Sequence, residues 1–316
     1  MASSVIGMVE NSTVRDARFR TPCCARACPR TIWARLSRMP EGHIIHRLAR
    51  HIRRSLGDDP VAVSSPQGRF ADSAALLSGQ RVTRTEAWGK DLFVHWEGGE
   101  ILHVHLGLIG KFRLSPAPGP DPRDTIRLRL EGTGSGEGGE GGTGSVVEGD
   151  VWDLTGPMIC RLITPAEQRA VTDRLGADPL RRNPDVEAAR TRFLATKRPV
   201  AAVLLDQRII AGIGNVYRAE LLFRAEIHPE LPANELSEAD FDSLWDDTVK
   251  LMRIGTRLGN IITTEPDEVG RSPGRMKADD RLYVYKRQHC RRCGSDIAIA
   301  EVAGRNCYFC PTCQPR

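Results

Sequence analysis

An α+β architecture in several domains is what this 316-residue sequence predicts, on three observations. Short alternating or β-branched runs crowd residues 61–130, apolar residues recur at helical spacing over 166–258, and two C-x-x-C pairs close the chain. In chain order these read as an N-terminal helix plus β-sandwich, a helical domain, and a C-terminal zinc ribbon. The length exceeds what one core serves, and no run of 18 apolar residues suggests a membrane span.

From Gly42 to Leu56, the residues Ile44, Ile45, Leu48, Ile52 and Leu56 recur at helical spacing, with Arg47, Arg50, Arg53 and Arg54 elsewhere on the cylinder. Strands follow at Val61–Val63, Gln80–Thr85, Leu92–Trp96, Glu100–Leu106 and Thr125–Leu130, each between turn residues. Glu131–Gly149 is rich in Gly and has no Lys, which predicts a flexible hairpin insertion and not a phosphate-binding loop. Helical periodicity resumes at Ala166–Leu175, Val186–Thr196, Val200–Leu205, Asn215–Phe223 and Ser237–Leu258, broken by Pro179, Pro184, Pro199, Pro229 and Pro232. Gly212-Ile213-Gly214-Asn215 precedes one of these helices, where backbone amides and the Asn side chain suit a phosphate, or a plain turn and cap.

At the C-terminus Cys290-x-x-Cys293 and Cys310-x-x-Cys313 stand sixteen residues apart, the spacing at which two thiolate knuckles supply a tetrahedral set for one structural zinc. Cys307 lies one C-x-x-C step before Cys310, so the last pair is formally ambiguous; Pro311 and the tighter knuckle favour Cys310 and Cys313. Four thiolates leave the metal no open position, so it holds a loop and does no chemistry.

Met39-Pro40-Glu41-Gly42-His43 offers chemistry of a different kind. A chain that starts at Met39 and loses it exposes the secondary amine of Pro40. Such an amine attacks an aldehyde carbon to give an iminium, and Glu41 stands next to it to move protons. The bland reading is a Pro at a helix start, where a missing N–H costs nothing. Residues 1–38 hold seven of the 45 Lys and Arg and two of the 40 Asp and Glu, leaving 38 of each sign beyond them. Their Cys23, Cys24 and Cys28 have no metal-ligand spacing, and the segment reads as an extension outside the mature enzyme, because an acylated Pro40 nitrogen cannot form an iminium. With a neutral remainder, binding to a polyanion requires segregated charge, and residues 251–316 supply some, with twelve Lys or Arg against seven Asp or Glu.

Pro40-Glu41-Gly42, Trp88-Gly89-Lys90, Gly212-Ile213-Gly214-Asn215-Val216-Tyr217, and Gly304-Arg305-Asn306 ahead of Cys310-Pro311-Thr312-Cys313-Gln314 together resemble the formamidopyrimidine-DNA glycosylase and endonuclease VIII family, from Met39 to the C-terminus. Pro40-Glu41-Gly42-His43 is closer to the bacterial endonuclease VIII-like branch, although His43 and Ile44 depart from the pattern in which a second acid follows the first. The resemblance implies domains at 39–162 (catalytic β-sandwich), 163–262 (helix-two-turn-helix, DNA-binding) and 263–316 (linker and zinc finger).

It also implies roles. Pro40, Glu41 and Lys90 form the catalytic set, with Lys90 on a flanking phosphate. Asn215 and Arg305 grip the DNA backbone, and Leu108 is a wedge that fills the stack a flipped base leaves, or else a core leucine in a strand. The expected function is a bifunctional DNA glycosylase and AP lyase acting on oxidised bases, pyrimidines ahead of 8-oxopurines, by β- or β,δ-elimination; the rival is a non-catalytic damage-binding protein. The expected partner is double-stranded DNA with damaged bases or abasic sites, met by a monomer in the bacterial cytoplasm without membrane contact.

Overall fold

The structure is a computed structural model that describes residues 40–57, 59–132 and 149–316. The extension 1–38, Met39 and most of the Gly-rich insertion lie outside the described residues.

Helix α1 (Gly42–Leu56) opens the described chain, and strands β1 (Val61–Ser64), β2 (Val82–Trp88), β3 (Asp91–Trp96), β4 (Ile101–His105), β5 (Lys111–Pro116), β6 (Ile126–Gly132), β7 (Asp150–Thr155) and β8 (Ile159–Ile163) follow, with helix α2 (Ala71–Leu77) between the first two strands. They form two antiparallel four-stranded sheets, ordered β1-β6-β7-β5 and β2-β3-β4-β8. One core joins them: Val63, Leu128, Leu130 and Trp152 of the first sheet share it with Val94, Leu102 and Val104 of the second and with Ile45, Ile52 and Leu56 of α1. The predicted β-sandwich is therefore present. Strands β3 and β4 are buried on both faces, because Phe93, Ile101 and Ile163 make a second apolar cluster behind the sheet with Trp88 and Val171.

The helical part comprises α3 (Pro165–Thr172), α4 (Val186–Leu194), α5 (Val200–Val203), α6 (Asn215–Arg224), α7 (Glu238–Leu258) and the short α8 (Pro266–Val269). Local rules set its starts. Thr164 with Glu167, and Ser237 with Asp240, are reciprocal capping boxes, and Gly259 ends α7 in the left-handed conformation at φ 75°. Between α5 and α6 the chain makes two turns, in which Ile209 N–H bonds Asp206 C=O at 2.9 Å and Gly212 N–H bonds Gln207 Oε1 at 2.9 Å. This is the helix-two-turn-helix element. Strands β9 (Ala298–Val302) and β10 (Arg305–Phe309) close the chain as an antiparallel ribbon.

Helix α1, amphipathic by its periodicity, lies between the sandwich and α7. Arg47 is accordingly half-buried, and its Nη1 donates to the carbonyls of Thr256 and Arg257 at the C-terminal end of α7. That contact puts a cation where the α7 dipole is negative.

Candidate active site

Three chain segments far apart in sequence meet at the N-terminus of α1. Gly42 N–H donates to Gly212 C=O at 2.9 Å, which satisfies an orphan donor of α1 from the loop before α6. The approach is close enough that a Cβ on Gly42 would sit 2.8 Å from Gly212 Cα, and Gly212 itself has φ +97°. The β2–β3 hairpin arrives at the same point through Gly89, at φ +56°, which faces Ala211 and Gly212. Small residues at these positions permit the junction.

Glu41 occupies the cap position of α1 without capping it. Its side chain turns to the N-terminus of α6, where the carboxylate accepts N–H bonds from Gly214 and Val216, both at 2.8 Å, and from Tyr217 at 3.4 Å. The α6 amides that suited a phosphate by sequence are thus occupied by the protein's own carboxylate. Glu41 is 2 % exposed, and burial raises its pKa against the pull of Lys90 and of the three amides. A carboxyl whose pKa is raised holds its proton more readily, which suits a general acid. Pro40, its half-buried neighbour, stands at the same end of α1.

Lys90 sits at the tip of the β2–β3 hairpin and turns inward, its Nζ donating to Ile213 C=O at 2.6 Å. Gln207 Nε2 shares that carbonyl at 3.0 Å. Burial lowers the Lys90 pKa to about 8, with Glu41 acting in the opposite direction. Behind the hairpin, the buried carboxylate of Asp178 accepts from Gly89 N–H and Leu180 N–H and pairs with His46 Nε2, each at 2.8 Å. Asp178 therefore ties the Lys90 hairpin to α1 and to the helical part.

Asn215, the first residue of α6, is engaged at both ends of its amide: Nδ2 donates to Asn306 C=O at 2.9 Å and Oδ1 accepts from Arg218. Arg218 is fully buried and donates to the carbonyls of Val302 and Asn306, at 3.1 and 3.2 Å, across the ribbon. Arg305 is exposed beside the ribbon tip formed by Ala303 and Gly304, both at positive φ, and its guanidinium has no partner among the described residues. The ribbon thus brings Arg305 to the α6 side of the site. Leu108 is not a core strand residue; it lies in the β4–β5 turn and is 62 % exposed. Ile109 at 77 % and Met158 at 66 % in the β7–β8 turn are exposed as well, and Gly107 abuts Met158. Sequence reasoning found neither Ile109 nor Met158 as wedge candidates, because only the sheet pairing brings the two turns together.

The ligand atoms of Cys290, Cys293, Cys310 and Cys313 all lie within 4.8 Å of one another. Cys290 and Cys313 sulfurs are 3.9 Å apart and those of Cys293 and Cys310 3.4 Å, far longer than an S–S bond of about 2.0 Å. A tetrahedron with Zn–S bonds of about 2.3 Å sets sulfurs about 3.8 Å apart, so the donor set and its size fit such an ion. Cys307 stands outside this group, buried in the core shared with α6.

Comparison with known proteins matches this architecture. The chain matches the Formamidopyrimidine-DNA glycosylase N-terminal domain over residues 39–139 and the Formamidopyrimidine-DNA glycosylase H2TH domain over residues 175–267. It is 45% identical over 278 residues to Endonuclease 8 1 of Mycobacterium tuberculosis, covering 87% of this chain and 100% of that protein. It is 32% identical over 246 residues to the Formamidopyrimidine-DNA glycosylase of Thermus thermophilus, covering 77% and 85%. The fold is that of the Lactococcus lactis formamidopyrimidine-DNA glycosylase bound non-covalently to DNA containing an AP site, at a TM-score of 0.67 and 23% identity over 87% of this chain and 100% of that one. With both domains matched in order and 45% identity over the whole length of one relative, the chain belongs to the formamidopyrimidine-DNA glycosylase and endonuclease VIII family.

Proposed function

We propose that this chain excises oxidised bases, pyrimidines in the first place, from double-stranded DNA and then cleaves the strand at the abasic site as a bifunctional glycosylase and AP lyase. The observation that carries the reading is Glu41, buried on the α6 amides next to Pro40. In the active form Pro40 is the first residue. Its nitrogen attacks C1′ of the flipped nucleotide while Glu41 protonates the ring oxygen, so the base leaves with the C1′–N bond electrons and the opened sugar is held as an iminium. The iminium acidifies C2′; loss of a C2′ proton expels the 3′ phosphate, and a second elimination expels the 5′ phosphate. That the N-terminal domain match begins at residue 39 supports Pro40 as the nucleophile and residues 1–38 as an extension.

The remaining roles follow from position. Lys90 leaves the Ile213 carbonyl to meet a phosphate flanking the lesion. Asn215 and Arg305 take backbone phosphates from α6 and from the ribbon, whose guanidinium geometry suits bidentate contact. Leu108, with Ile109 and Met158, fills the emptied stack. Cys290, Cys293, Cys310 and Cys313 hold one structural zinc, which supplies folding energy to the ribbon and no reaction step. We assign the catalytic sandwich to 39–162, the DNA-binding helices to 163–262, and linker plus zinc finger to 263–316.

Borohydride trapping tests the mechanism. Protein beginning at Pro40, mixed with abasic-site DNA, should give a reduced covalent adduct, and the same protein acetylated at its terminus should give none. Tight binding of the abasic duplex without an adduct would make the chain a damage-binding protein.

A further inference from the structure

Helix α1 carries a second arginine feature that the reaction does not use. Arg47, Arg50, His51 and Arg54 recur at spacings of three and four, which aligns them in one stripe along the helix. They face Arg253 and Arg257, spaced by four on α7, across a half-open cleft of about 540 Å³. Among the described residues no carboxylate lines it; Leu180, Ile254 and Thr256 complete the walls. Arg47 is anchored on the end of α7 and makes part of the floor, while Arg50, Arg54, Arg253 and Arg257 are exposed and their guanidiniums have no hydrogen bond or ion pair among the described residues.

Three arginines elsewhere in the helical part do meet carboxylates. Arg190 meets Glu187 and Asp242, Arg198 meets Asp206, and Arg224 meets Asp247 and Glu265. From Met39 onward the chain has as many acids as bases, so carboxylates for pairing are not scarce. Four unpaired guanidiniums around one cleft repel one another, and a bound polyanion would offset that repulsion. None of the residues proposed to touch the lesion lines the cleft. Arg47 is seven residues and Arg54 fourteen residues beyond Pro40, which at ~1.5 Å per residue puts the stripe roughly 10–21 Å along α1 from the nucleophile.

We propose that this cleft binds the phosphodiester backbone of a second DNA segment, distinct from the duplex that carries the lesion. Its chemistry is that of any clustered phosphate, and the choice of DNA rests on the reading of the chain as a DNA glycosylase. Occupancy of both sites would let the enzyme hold undamaged DNA while its active site is engaged.

The test uses the full chain loaded with a 13-base-pair duplex carrying tetrahydrofuran, an uncleavable stand-in for the abasic sugar, followed by titration with a labelled undamaged duplex. The loading step reads the proposed function, and the titration reads the cleft. A ternary complex is expected, and its affinity should fall with salt. In the Arg54→Gln/Arg257→Gln double variant the slope of log K against log salt should flatten by about 1.8, since each phosphate contact contributes about 0.9. Loading of the lesion duplex should be unchanged. The proposal is overturned if no second duplex binds at low salt, or if it binds with an unchanged slope in the variant. It is equally overturned if the variant weakens the lesion duplex by the same factor, which would place the cleft on the lesion's own flank, or if pyrophosphate binds there and duplex does not. Should loading itself fail, titrating the undamaged duplex alone against wild type and variant gives the same decision on the cleft.

Discussion

Gly214→Ala isolates the position of the Glu41 carboxylate from its presence. Gly214 has φ −122° and ψ −162°, extended backbone that alanine adopts without strain. The added methyl, however, would lie 2.4 Å from Glu41 Cδ and 2.7 Å from its Oε1. Those atoms end a flexible side chain, so the loop should stay and the carboxylate should leave. It would give up two N–H bonds of 2.8 Å and a longer one, and hydrogen bonds to a charged group contribute roughly 1.5–3 kcal/mol each. Hydration of the released carboxylate offsets much of that, so folding should be little affected while general-acid assistance, ~10²- to 10⁴-fold, is lost. Single-turnover excision of an oxidised pyrimidine should therefore fall by about that factor, and cleavage of a preformed abasic site should fall less, because an existing aldehyde needs no departing base. Circular dichroism and a thermal melt confirm the fold. Wild-type excision in a folded Gly214→Ala protein would refute the argument that this carboxylate must sit on the α6 amides.

Other outcomes follow from the same geometry. Zinc content should drop from one ion per chain in Cys310→Ser and stay full in Cys307→Ala, as read by metal analysis, because Cys307 faces α6. Lys90, with its pKa lowered to about 8, loses charge as pH rises through that value, so abasic-duplex affinity should fall between pH 7 and 9. Lys90→Arg should hold affinity level across that window, and a decline of equal size in the variant would exclude Lys90 as its source. His43 is buried edge-on to Tyr217 with no hydrogen-bond partner for either ring nitrogen among the described residues, and its pKa is lowered to about 3 by burial. The unfolded chain, with its histidine near 6.5, then binds the extra proton, so the stability this ring contributes is full above about 6.5 and is lost at roughly 1 kcal/mol per unit as pH falls. Urea unfolding at pH 7.5 and 5.5 should show a smaller loss for His43→Met than for wild type.

Much of this arrangement was legible in the residues themselves. The sandwich strands at 61–64, 82–88, 91–96, 101–105 and 126–132 and the five larger helices stand close to where periodicity put them. Strands β5, β7 and β8 and helix α2 were not foreseen: Lys111-Phe-Arg-Leu-Ser-Pro carries a proline, and Ile159-Cys-Arg-Leu-Ile is too short to declare a period. The four-cysteine group was readable because metal-ligand spacing is local. The anchor of Glu41 was not, since Gly214 lies 173 residues away and no local pattern records a carboxylate reaching another helix. Gly212-Ile213-Gly214-Asn215 reads as a helix start whose amides suit a phosphate or make a plain cap; the structure has the helix start there, with Glu41 on the amides instead. Asp178 escaped for the same reason, as His46 and Gly89 lie 132 and 89 residues away.

Helix α6 holds three parts of the molecule. Its first turn seats Glu41, its second sends Arg218 into the ribbon carbonyls, and its Glu220 gathers the N–H groups of Tyr283, Val284 and Tyr285 at 2.7–2.9 Å. Ten residues thus serve as the shared axle of the candidate site, the cysteine ribbon and the stretch of chain at Tyr283–Tyr285. A disturbance at the ribbon should therefore reach Glu41, the proposed proton donor, through one helix, so a lesion in the cysteine cluster would register as a fault in chemistry as well as in grip.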